Sequence, residues 1–218
     1  MYTKIHSGGA PPRPRIGGSS RPSSFSLTQA PRKKKKKSGE VSIKKIAIVG
    51  PESTGKTTLS KMIAAHYKTI TVPEYAREYI AQLNRPYGPK DLLPIAKGQI
   101  QLENQLLFQA SKVLVCDTNM TVMKIWSEQK YGFCAEWILN VINSRYYDHH
   151  FVCTPDMPWD KDPLRENPNN RDELFQLYIN EMEKQQVRYT IVKGTPEERL
   201  QQVIDVLDKF VLKKPAQV

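Results

Sequence analysis

From position 50 to position 58 the chain reads G-P-E-S-T-G-K-T-T, a run of residue types suited to holding phosphate. Glycines at its first and sixth positions let the backbone turn tightly, so that successive N–H groups converge on an anion. A helix opening at Lys56 adds the positive end of its dipole. In such a loop the lysine reaches the β- and γ-phosphates of a nucleotide and the following hydroxyl ligates Mg²⁺. Gly50, Pro51, Glu52, Ser53, Thr54, Gly55, Lys56, Thr57 and Thr58 are therefore the candidate nucleotide cradle, with ATP and Mg²⁺ as the expected ligands.

The other residues able to do chemistry lie far from this loop in sequence. Asp117 ends the apolar run Val113-Leu114-Val115-Cys116, as a metal-associated aspartate does after a buried strand; a helix N-cap is the alternative. With Thr57 it forms the candidate metal pair. Glu74 and Arg77 follow the short stretch Ile70-Thr71-Val72. Glu74 can accept a proton from a hydroxyl acceptor, and Arg77, one helical turn on, can meet acceptor or phosphate. An acidic first helical turn with a surface ion pair accounts for the same residues without chemistry. Residues 154–171 are polar and include four prolines, the length and character of a mobile lid as much as of a solvated loop. Arg165 and Arg171 are its candidates for neutralising a transferring phosphoryl group. Lys56, Glu74, Arg77, Asp117, Arg165 and Arg171 together form the candidate catalytic set. Trp126, Tyr131 and Trp137 can stack on an acceptor ring, although their spacing also suits a core.

Positioning these groups requires strands that end beside the loop. Ile46-Ala47-Ile48-Val49 reads as a strand buried on both faces, leading directly into Gly50. Further strands are expected at 70–72, 113–116, 150–153 and 188–192. Helices are expected at 56–66, 74–83, 91–110, 121–129, 135–144, 172–185 and 196–212. This alternation predicts an α/β, P-loop kinase-like three-layer fold: a five-stranded parallel sheet with helices on both faces and a lid loop. Ligands of such sheets gather at the carboxyl ends of the strands, where Gly50, Glu74 and Asp117 fall.

Net charge separates the chain into parts. Of the +11 carried by 218 residues, positions 1–42 hold ten Lys/Arg against the single acid Glu40, or +9. The remaining 23 basic and 21 acidic side chains leave the body at +2, so nucleic-acid binding is unlikely except through the basic tail. The tail, rich in Gly, Pro and Ser, is expected to be disordered; solvated arm, transit-like segment and surface-binding arm all fit its composition. The expected domains are a tail at 1–42, a P-loop domain at 43–213 and a C-terminal tail at 214–218. Cys116, Cys134 and Cys153 lack metal-ligand spacing, and no apolar run reaches the length of a membrane span, so a cytoplasmic protein with free thiols is expected.

The segments GPESTGKTT, VPEYAREYI, LPIAKGQ, VLVCDTN and PWDKDPLR, in that order, resemble the ribosylnicotinamide kinase domain of the NadR-like AAA-type ATPase family, over about residues 44–212. The resemblance implies binding of ATP and Mg²⁺ and phosphoryl transfer to the 5′-hydroxyl of nicotinamide riboside, giving the mononucleotide for NAD synthesis. By motif it places ATP on residues 50–58, the metal and acceptor region at Asp117, the acceptor beside Glu74 and Arg77, and a lid arginine at Arg165. One departure is Asp117-Thr118-Asn119, where the family carries aspartate-threonine-aspartate; an acidic contact is expected to be missing. The helix-turn-helix and adenylyltransferase parts of the full regulator have no counterpart in the matching stretch, so neither DNA regulation nor adenylyl transfer follows.

A nucleotide-dependent switch or interaction module is the competing class. A GTPase switch wants glycine three residues after the strand-ending aspartate and an N-K-x-D motif, whereas position 120 is Met120 and no such motif occurs.

Overall fold

The computed structural model describes residues 42–162 and 165–212, apart from the side chain of Phe210. The basic tail, save Ser42, and residues 214–218 lie outside that range, and so do the readings attached to them.

Five strands form one sheet: β1 (Lys44–Val49), β2 (Thr71–Val72), β3 (Val113–Asp117), β4 (His149–Cys153) and β5 (Tyr189–Val192). All pair in parallel in the order β2-β3-β1-β4-β5. β1 is central because its apolar run can be buried on both sides, and Ile46, Ala47, Ile48 and Val49 are fully buried. Register aligns Ile48 with Asp117 and Val49 with Val152, so the carboxyl ends of β1, β3 and β4 finish at one edge.

Helices cover both faces, as the alternation of elements requires. Ile46 and Ile48 pack with Leu59, Ile63 and Tyr67 of α1 (Lys56–Tyr67) and Val203 of α7 (Pro196–Val206). Ala47 and Val49 face the other way, towards Leu174, Tyr178 and Met182 of α6 (Arg171–Lys184). A third cluster joins α2 (Tyr75–Ala81), α3 (Pro89–Leu107), α4 (Met120–Tyr131) and α5 (Glu136–Ser144). Trp137 packs here with the ammonium of Lys97 5.8 Å from its ring centre, and Tyr131 lies against Phe133. Both rings take the core position that their spacing also suited.

Element ends follow local chemistry. α3 starts two residues earlier than the periodicity implied, because the Asp91 carboxylate accepts a hydrogen bond from the Gly88 N–H at 2.7 Å and Pro89 suits the first helical position. α7 opens with a reciprocal cap: the Thr195 hydroxyl accepts from the Glu198 N–H and the Glu198 carboxylate from the Thr195 N–H. Instead of continuing to 212, it widens into a π-helical turn at Leu207–Val211. Beneath α3, the buried Glu103 carboxylate accepts from the Tyr147 hydroxyl at 2.6 Å and pairs with Lys45 and Arg145. Burial opposes its ionisation, but these partners outweigh it and hold the carboxyl below its ordinary range. Among the described residues no helix is long and apolar enough to cross a membrane.

His149 and His150 lie in the core of β4, where burial pulls both imidazoles down to about 4. The unfolded chain takes up these protons near pH 6.5 and the folded chain only near 4, so stability is lost as pH falls through that window. His150→Gln removes one such group. Melting temperatures followed from pH 7 to 4.5 are expected to fall less steeply in this variant than in the unsubstituted protein.

Candidate functional site

At the carboxyl edge of β1 the chain turns into the phosphate-binding loop. Gly50 adopts φ 135° and Gly55 φ 75°, both in the left-handed region that favours glycine. A Cβ at Gly50 would come within 2.7 Å of the Cys153 carbonyl oxygen. Ser53 also takes a positive φ of 55°, an uncommon conformation for a residue with a side chain. Two internal bonds hold the loop: the Thr54 hydroxyl and the Lys56 ammonium donate to the Pro51 carbonyl at 2.8 and 2.6 Å. α1 then begins at Lys56 with its N-terminal end at the loop.

Residues 50–58 all line a cavity of about 430 Å³. Glu74, Arg77 and Arg165 line it too, together with Tyr87, Gln99, Trp126, Lys130 and Glu166. Gly98 and Gln99 of α3 explain how Glu74 is presented. Gln99 accepts from the Tyr75 N–H at 2.8 Å and donates to the Pro73 carbonyl at 3.2 Å, which clamps the corner between β2 and α2. Any side chain at position 98 would collide with the Tyr75 ring, whose nearest carbon lies 2.0 Å from a Cβ built there.

Asp117 is outside the cavity lining and 4% exposed. Burial pushes its carboxyl up, while the Thr57 hydroxyl and the Lys56 charge pull it down and Glu74 adds to the rise. It does not cap a helix, since Asn119 does: its side-chain oxygen accepts from the N–H groups of Thr121 and Val122 at 3.0 and 3.4 Å. At Asn119, where the resemblance expects an acid, the structure shows a helix-capping role. The side chain is a buried N-cap, a position that asparagine and aspartate fill about equally well, and it is outside the lining of this cavity.

Residues 154–162 and 165–170 contact the phosphate loop through several polar groups. The Glu52 carboxylate accepts from the backbone N–H groups of Glu166 and Asn167 at 2.8 and 2.9 Å. The Ser53 hydroxyl accepts from the Asp160 N–H at 2.7 Å and donates to the Pro158 carbonyl. Arg165 spends its guanidinium on the Asp160 carboxylate and carbonyl, 3.5 Å from the Ser53 hydroxyl. Arg171, expected in the loop, is the first residue of α6; it donates to the carbonyls of Ser53 and Met157 and lies outside the cavity lining, bracing the lid. Arg77 bridges Glu74, at 3.1 Å, and the lid residue Asp162, at 2.7 Å. Also in the lining, Lys130 pairs with Glu166 while sitting 4.1 Å from the Tyr87 ring centre, and Tyr87 packs against Trp126.

Arg199 had no place in the sequence reading. It is 1% exposed, and its guanidinium donates to the carbonyls of Thr54, at 2.7 Å, Gly194, at 2.9 Å, and Thr154, at 3.1 Å, and pairs with Asp156. One buried cation thus joins the phosphate loop, the ends of β4 and β5, and the root of the lid. In sequence it is one charge among several on an amphipathic helix; only burial distinguishes it.

The environment of Asp117 generates a test. Folding raises its pKa, so the ionised form costs stability that the protonated or amide form does not. Asp117→Asn in metal-free buffer is expected to melt at or above the unsubstituted protein, as differential scanning calorimetry at neutral pH would show.

Comparison with known proteins places this geometry. A family model described as an AAA domain matches residues 45–199. The trifunctional NAD biosynthesis/regulator protein NadR of Escherichia coli K12 is 24% identical over 159 residues, covering 69% of this chain and 38% of NadR. Crystal structures of NadR, one with NAD and AMP-PNP and one with NR, superpose with TM-scores of 0.62 and 0.64 at 19% and 18% identity; both cover 81% of this chain and 52% and 53% of theirs. Thymidylate kinase from Ehrlichia chaffeensis superposes with a TM-score of 0.54 at 16% identity, over 75% of this chain and 98% of the kinase. These likenesses show the P-loop kinase-like three-layer fold, and the chain spans well under two thirds of the length of NadR. The chain belongs to the AAA domain family, AAA_28, and its P-loop domain is NadR-like.

Proposed function

We propose that this protein is an ATP-dependent phosphotransferase acting on the hydroxyl of a nucleoside-like acceptor, with nicotinamide riboside as the first candidate. The observation that carries the proposal is a single cavity with two kinds of wall. Its lining joins the phosphate loop to the acid Glu74 and the aromatic pair Trp126 and Tyr87. A hydrolytic switch has no need of an acceptor compartment, whereas a kinase must hold both substrates in line within reach.

In this reading the backbone N–H groups of residues 50–58 and the ammonium of Lys56 bind the β- and γ-phosphates. Lys56 leaves the Pro51 carbonyl to do so. Glu74 orients the acceptor hydroxyl and takes its proton as the oxygen forms a bond to the γ-phosphorus. The bond from that phosphorus to the bridging oxygen breaks, and ADP leaves. Arg165 exchanges the Asp160 carboxylate for the phosphoryl oxygens, and the lid excludes water. Arg77 orients the Glu74 carboxylate and ties it to lid closure through Asp162. The Thr57 hydroxyl and the Asp117 carboxylate, both hard oxygen donors and one a buried anion, fit Mg²⁺. Among the described residues no group of three or more His, Cys, Asp and Glu forms a metal cage, in keeping with an ion that takes most of its ligands from phosphates and water. When bound, Mg²⁺ would supply charge neutralisation at the phosphates.

The similarity to NadR, one structure of which holds NR, supports nicotinamide riboside as acceptor. The pyridinium of that nucleoside is a cationic aromatic ring, suited to the faces of Trp126 and Tyr87 and to the Glu166 carboxylate beside them.

The test is ATP turnover by the whole chain with Mg²⁺ and a nucleoside panel that includes nicotinamide riboside, with product masses recorded. Nicotinamide riboside is expected to gain one phosphate, and Lys56→Ala to abolish turnover while melting as a folded protein. ATP binding without phosphorylation of any acceptor would instead favour the switch.

A further inference from the structure

Thr118 lines the cavity in a strained conformation, with a hydroxyl that has no partner among the described residues. It follows Asp117 at the end of β3 and takes a φ of 92°. For a β-branched side chain that is a strained conformation of the kind that persists only where the surroundings enforce it. They do so on both sides. The Thr118 N–H donates to the Ile48 carbonyl at 3.1 Å, extending the β1–β3 ladder, and the next residue, Asn119, is fixed as the cap of α4. The side chain is 4% exposed, and its hydroxyl has no hydrogen-bond partner among the described residues. A buried, unpaired hydroxyl carries a desolvation cost that a methyl group in the same place would avoid. Thr118 nevertheless lines the cavity.

We propose that the Thr118 hydroxyl hydrogen-bonds a sugar hydroxyl of the phosphate acceptor, making Thr118 a specificity-determining residue. The inference rests on the kinase reading above and goes beyond it by assigning this contact. Three features point to the acceptor rather than to the nucleotide. The phosphate end is already supplied with donors by the backbone of residues 50–58 and by Lys56. Thr118 leads directly into α4, whose Val122, Met123, Ile125 and Trp126 line the cavity with mostly apolar surface beside it, Gln129 and Lys130 lying further along the helix. Glu74 serves the reacting hydroxyl, which leaves the ring hydroxyls of a ribosyl group to be met from elsewhere. A hydroxyl can both donate and accept, so Thr118 matches a sugar hydroxyl in either sense. A site built to pair with a substrate hydroxyl also rejects analogues that lack it, because its own polar group is then left unpaired.

The experiment measures steady-state kinetics of the full chain with ATP, Mg²⁺ and nicotinamide riboside for Thr118, Thr118→Val and Thr118→Ser. Valine preserves shape, β-branching and backbone strain and removes only the hydroxyl. The expected result is a KM for nicotinamide riboside raised about tenfold or more in Thr118→Val, a KM for ATP within about twofold, and recovery of most of the loss in Thr118→Ser. Melting of Thr118→Val should occur no lower than that of the unsubstituted protein; if it does not fold, Thr118→Ala is measured in its place. An unchanged KM for nicotinamide riboside in a Thr118→Val enzyme that turns over would overturn the inference while leaving the kinase reading intact. Equal shifts in both KM values would also overturn it, as the mark of a structural role. Absence of acceptor phosphorylation by the unsubstituted protein would remove the kinase reading and this inference together.

Discussion

The site depends on a buried arginine that holds a strained loop in place. A phosphate cradle needs backbone N–H groups turned outward, and that leaves carbonyls turned inward with no helix or strand to satisfy them. Arg199 answers the Thr54 carbonyl from below, and Lys56 and the Thr54 hydroxyl share the Pro51 carbonyl from within the loop. Because the same guanidinium binds Thr154, Gly194 and Asp156, the loop is fixed relative to β4, β5 and the start of the lid. Because Arg199 is itself buried, removing its partners would leave an uncompensated charge in the core, so the support is also a point of weakness.

The lid adds a second constraint. Glu52 and Ser53, which lie between the two glycines of the phosphate loop, are the ones the lid grips. The glycine turns and Lys56 are left lining the cavity. Arg77 carries the connection across to Glu74, so the group that would orient an acceptor and the group that would close over the phosphates share one ion-pair chain. Each exposed pair in it is worth little alone, which suits a segment that must open.

Much of this was legible in the sequence where function is local in the chain. The glycines and lysine of residues 50–58 act as a contiguous unit, and Glu74 and Asp117 announce themselves by following apolar strands at the edge where parallel sheets bind ligands. What could not be read depends on distant contacts. Trp126 and Trp137 have the same helical credentials, yet only the first lines the cavity. That the Asn119 side chain caps α4 was not legible in a motif read as ligand chemistry. Arg199 is an ordinary helical charge until its burial is known, and Thr118 an ordinary threonine until its φ is known. The roles of Gly98 and Gln99 likewise appear only once Tyr75 is seen against α3.

That one cavity serves both the nucleotide phosphates and the acceptor is the claim on which the account stands. It is tested most directly by titrating nicotinamide riboside against the full chain, with Trp126 fluorescence as the signal, in the presence and absence of AMP-PNP and Mg²⁺. The account predicts saturable quenching that tightens when AMP-PNP is bound and that disappears in Trp126→Phe. Quenching that AMP-PNP abolishes by competition, or no binding of nicotinamide riboside to the AMP-PNP complex, would contradict it.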